Sequence, residues 1–113
     1  MPPVEIDLTR MSAHFINDRE ARMNHFEKTL GWGKPVATIK SNHSDDTYMT
    51  LTDTGVMVVR DDSNLILTAY LATITQAIMV YRKANGNKRM PTALWNQLNY
   101  NNNTPYWRNL VAA

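Results

Sequence analysis

At 113 residues, with 43% hydrophobic and 19% charged positions, the chain is long enough for one packed core and too apolar for a disordered segment. A net charge of +2 is mild, so it permits a nucleic-acid partner without arguing for one. With no cysteine, no run near the ~18 apolar residues that span a bilayer and no signal-peptide pattern, thiol and Cys-zinc chemistry are excluded, and a cytoplasmic protein without a membrane partner is expected.

Met1–Thr9 carries two prolines and reads as an extended lead-in. Arg10–Leu30 has neither glycine nor proline and predicts a helix, interrupted near its middle. Ser12 is its expected cap, and Gly31 and Gly33 are stop signals. At 100° per residue Phe15, Met23, Phe26 and Leu30 share one stripe, with Arg19 inside it. His14, Asp18, Arg22 and His25 form the neighbouring stripe. Val36–Ile39 predicts a first strand and Ser41–Asp46 a polar loop. Thr47–Leu51, Val56–Arg60 and Leu65–Tyr70 then predict an antiparallel meander, joined by turns at Thr52-Asp53-Thr54-Gly55 and Asp61-Asp62-Ser63-Asn64.

Pairing Leu51 with Val56 and Arg60 with Leu65 puts Met49, Leu51, Val56, Val58, Leu65, Leu67 and Ala69 on one apolar face. The helix is expected to pack there. The opposite face carries Tyr48, Thr50, Met57, Val59, Ile66, Thr68 and Tyr70, a surface bearing four hydroxyls. Thr73 or Thr75 is expected to cap a helix through Arg82, ended by Asn85-Gly86-Asn87. A further short helix runs from Pro91-Thr92 through Leu98, Asn99–Thr104 reads as a connector, and Trp107 and Leu110 suggest that the tail docks. The expected fold class is α+β: an N-terminal helix packed on a meander of three or four antiparallel strands, followed by C-terminal helices. Residues 1–113 read as one domain, with a core over about 10–83 and a C-terminal extension over 84–113.

The sequence lacks a phosphate-cradling glycine loop, a GxSxG elbow, HExxH and zinc-ribbon spacing. His14, His25 and His43 have no acidic or thiolate partner at ligand spacing, and Asp61-Asp62 reads as a turn, so neither a metal nor a cofactor is expected. A basic, histidine-bearing helix stripe beside a hydroxyl face supplies the parts that metal-free RNA cleavage needs. A histidine takes the 2′-hydroxyl proton, an arginine stabilises the phosphorane and hydroxyls orient the phosphate. On the sheet, Tyr48, Thr50 and Arg60 are the candidate substrate-binding groups.

The pattern of His14, Arg19 and Arg22 on the first helix, then Ile66-Leu67-Thr68-Ala69-Tyr70 closing a strand, resembles the barnase–EndoU–colicin–RelE-like (BECR) ribonuclease toxins and their phage-encoded relatives. The resemblance covers about Met11–Tyr81. It implies a metal-independent endoribonuclease with His14 as base or acid, Arg19 or Arg22 as the phosphate-stabilising cation, and Thr68 and Tyr70 as orienting hydroxyls. Its implied partners are RNA and a cognate antitoxin or host protein. The sheet departs from the family pattern in offering Arg60 as its one cation. The alternative is a non-enzymatic interaction or inhibitor protein of phage type that binds a host protein or nucleic acid through the hydroxyl face or the aromatic tail. In the latter, Trp95, Tyr100, Tyr106 and Trp107 either stack on bases or dock the tail onto the core.

Overall fold

Four strands in sequence order, β1 (Pro35–Lys40), β2 (Thr47–Thr52), β3 (Val56–Asp61) and β4 (Ile66–Leu71), form one antiparallel sheet. The computed structural model describes residues 6–18, 20–41, 46–105 and 107–111, the side chain of Asp18 excepted. Expectations placed on Arg19, His43 and Tyr106 lie outside the described residues. The N-terminal helical stretch is described as α1 (Ala13–Asp18) and α2 (Glu20–His25), the latter running into a π-helical turn over Phe26–Leu30. Ser12 caps α1, its hydroxyl accepting from the Phe15 amide at 3.1 Å. After the sheet come α3 (Ile74–Ala84), α4 (Thr92–Asn102) and the short α5 (Trp107–Leu110). The α+β order is the expected one. No helix of the described residues is long and apolar enough to cross a membrane.

Both pairings differ from the expected register by about one residue. Leu51 pairs with Met57, not Val56, and Arg60 with Ile66, not Leu65. The reason lies in the two turns. The first places Gly55 at φ +87°, its amide donating to the Thr52 carbonyl at 3.0 Å. The second places Asn64 at φ +70°, its amide donating to the Asp61 carbonyl at 3.1 Å, while the Asp61 amide reaches Leu65. Each is thus a three-residue loop closed by a left-handed residue, which moves the strand ends one step apart. A register irregularity between Val59 and Arg60 adds a further shift.

Because side chains alternate, the shift re-sorts both faces. Val56, Val58, Ile66, Ala69 and Leu71 face the N-terminal layer and bury with Phe15, Phe26, Trp32 and Leu110. The helix stripe holds, since Met23 and Leu30 pack on this cluster too. Met49, Leu51, Met57 and Tyr70 face the other way and bury with Ala77, Val80, Met90, Leu94 and Leu98 of the α3–α4 layer. The sheet is therefore covered on both sides, and the open hydroxyl face is corrected: its residues divide between two cores. The segment read as an extension is part of the packing, with Leu94 and Leu98 in one core and Leu110 in the other.

Candidate functional site

Of the residues expected to act on RNA, His14 is exposed on α1. Arg22 is 7% exposed, and its guanidinium donates to the backbone carbonyls of Asn109, at 3.3 Å, and Val111. It ties the end of the chain to α2, while Val111 bridges to Leu71 on the edge of β4. Thr68 pairs with Val59 and Tyr70 with Met57, so both sit on the α3–α4 side of the sheet. Tyr70 is 8% exposed; burial pushes its phenol pKa up, and the charge of Arg22 partly opposes that shift. The sheet lies between the helix carrying His14 and the face carrying Thr68 and Tyr70. Arg22 serves as a structural anchor, in place of the phosphate cation expected there.

Of the three sheet residues expected to bind substrate, Thr50 and Arg60 gather inside the protein and Tyr48 is half-buried beside them. Tyr48 lies opposite Arg60, and Arg60 Nη2 donates to Thr50 Oγ1 at 2.6 Å while Nη1 donates to Asn64 Oδ1. Thr50 Oγ1 in turn lies 3.0 Å from Thr38 Oγ1. Thr38 and Thr50 are fully buried and Arg60 is 3% exposed. Burial pulls the Arg60 guanidinium below its ordinary pKa. This chain holds the left-handed Asn64 against the sheet, and a charge so enclosed meets no substrate without opening the fold.

An accessible site exists on the other side, between α3 and α4. A cap with reciprocal bonds starts α3, where Gln76 N donates to Thr73 Oγ1 at 3.1 Å and Thr73 N to Gln76 Oε1 at 3.0 Å. Ala77 and Val80 bury against the sheet, which turns Ile78 and Arg82 toward α4. Gly86 and Asn87, at φ +64° and +67°, reverse the chain. Met90 then anchors it in the core and Pro91 sets the entry to α4. The resulting groove has a volume of about 420 Å³ and is lined by Ile78, Arg82, Arg89, Met90, Thr92 and Trp95. Trp95 is 41% exposed and both arginines are exposed.

The groove sits in a charge-segregated half of the chain. From Ser63 onward there is no Asp or Glu, against five cations: Arg82, Lys83, Lys88, Arg89 and Arg108. The first 62 residues hold all ten acids and seven cations. The near-neutral total hides this, and a separate count for each half of the sequence reveals it. Among the described residues no three His, Cys, Asp or Glu side chains gather as metal ligands. The chain matches no protein-family model, no curated protein and no solved structure.

Proposed function

We propose that the α3–α4 groove is a nucleic-acid-binding site and that RNA is its ligand. The observation that carries this reading is the joint lining by Arg82, Arg89 and Trp95 within a segment free of carboxylates. Guanidinium forks bind phosphate bidentately, an exposed indole stacks on a base at roughly 1–3 kcal/mol, and the segment that builds the groove carries no acid of its own to repel the backbone. Binding here requires none of the groups expected to cleave.

Fluorescence anisotropy with a mixed-sequence labelled RNA tests the reading. The double variant Arg82→Gln/Arg89→Gln should weaken binding by about tenfold or more, and Trp95→Ala by a similar factor. Lys28→Gln, exposed in the N-terminal layer, is the control and should change little. Absence of binding, or binding that ignores both groove variants, would transfer the function to a protein partner such as an antitoxin or host factor. Incubating the same RNA in excess chelator separates binding from the ribonuclease expectation. Cutting that disappears in His14→Ala would establish cleavage instead.

A further inference from the structure

We infer that the ligand is an unpaired strand laid along α4, with the groove holding one end and a second cavity at the C-terminal end of the helix holding the other. The inference rests on the nucleic-acid reading above and adds strandedness, length and a second contact region. The second cavity, about 470 Å³, is lined in part by Asn102, Asn103, Trp107 and Arg108. It repeats the chemistry of the first: a cation, an indole and short polar side chains.

The two cavities share one side of α4. At 100° per residue Thr92, Asn99 and Asn103 fall within about 40° of each other, with Trp95 and Asn102 on the same flank. Thr92 and Trp95 line the first cavity, and Asn102 and Asn103 the second. Leu94, Leu98 and Asn101 occupy the opposite, buried side, while Thr92, Trp95 and Asn103 are exposed and Asn99 and Asn102 half-buried. Asn102 Nδ2 donates to the Leu98 carbonyl at 2.6 Å and Asn103 Nδ2 to the Asn99 carbonyl at 2.8 Å, which holds both amides against the helix surface. From Thr92 to Asn103 the helix rises ~16 Å. That distance spans roughly three to five nucleotides, between the ~3.4 Å per-strand rise of stacked bases and about twice that when extended. An unpaired strand offers bases to the exposed Trp95 and to the free edge of Trp107, which is half-buried against the N-terminal core, whereas a duplex keeps its bases stacked inside.

The test measures anisotropy with labelled oligouridylates from dinucleotide to dodecanucleotide, the matching oligothymidylates and a duplex of equal length. Affinity should rise from dinucleotide to about hexanucleotide and then level off, with the duplex weaker. Arg108→Gln should weaken the hexanucleotide by about three- to tenfold, the loss of one phosphate contact, and leave the dinucleotide unchanged. RNA and DNA strands bound equally would assign recognition to phosphate and base faces; an RNA preference would add the 2′-hydroxyl. Affinity that is flat with length, a tighter duplex, or an Arg108→Gln variant with no effect while Arg82→Gln/Arg89→Gln still weakens binding would overturn the track and leave the groove standing. No binding of any oligonucleotide by the wild-type chain would overturn both.

Discussion

Arg22 and Arg60 show what a buried guanidinium does in this protein. Each is fastened to oxygen acceptors, Arg22 to two carbonyls near the C-terminus and Arg60 to Thr50 and Asn64. Removing such a donor leaves acceptors in buried or partly buried surroundings short of a partner, and a hydrogen bond to a charged group is worth roughly 1.5–3 kcal/mol. Arg22→Ala should therefore lower stability by about that amount in urea unfolding while leaving RNA affinity unchanged. A variant of full stability would return Arg22 to the candidates for chemistry. Tyr70 adds a pH dependence with a definite sign. Its folded pKa lies above the model-peptide value of 10.0, so the unfolded chain ionises first. Its stability is complete below about pH 10 and declines as pH rises through the raised folded value. Tyr70→Phe should flatten the alkaline side of a stability–pH curve measured by thermal melts, and an unchanged curve would place the phenol in water.

The turn between β2 and β3 is where separate elements meet. The Thr54 hydroxyl donates to the carbonyls of Gly31 and Trp32 at 3.0 and 3.1 Å, and Asn101 Nδ2 of α4 donates to the Thr54 carbonyl at 2.8 Å. Gly55 closes the turn in the left-handed region, and a Cβ there would lie 2.5 Å from Asn101 Nδ2. Gly55→Ala combines backbone strain with that clash and should cost at least ~1 kcal/mol. Helix α4 is bound just as firmly through its apolar side. Leu98 is fully buried, so Leu98→Ala should cost ~2–5 kcal/mol in chemical denaturation. A loss near zero would mean that residues 84–113 are an appendage after all.

Taken as a whole, the molecule sorts its charge along the chain: acids end at Asp62, and the later helices carry cations alone. Only five cations are available there, so a bound strand can have few phosphates neutralised. With ~0.7 counterions released per phosphate on a single strand, two to five contacts predict a slope of log K against log salt of about −1.4 to −3.5. A salt titration of RNA affinity measures this directly. A flat response would remove the phosphate contacts from the account.

Much of the local structure was legible because it depends on neighbours in sequence. The Phe15–Phe26 stripe, the Ser12 cap, a helix start at Thr73 or Thr75, the strand runs and the turn residues all follow from periodicity and backbone chemistry, and the fold selects Thr73. The charge division was present as well, concealed by averaging over the chain. The register was out of reach, since it depended on whether Gly55 and Asn64 each take a left-handed position inside the loop. One residue in a turn moves every side chain of a strand to the other face, because the strand period is two. That step turned an apparent hydroxyl surface into the interior of a sheet covered on both sides. The role of Arg22 was equally hidden, for the carbonyl it binds belongs to Val111, 89 residues away. Contacts of that length exist only once the chain end has docked on the β4 edge. The groove formed by Arg82, Arg89 and Trp95 likewise arises only when α3 and α4 pack against the same face.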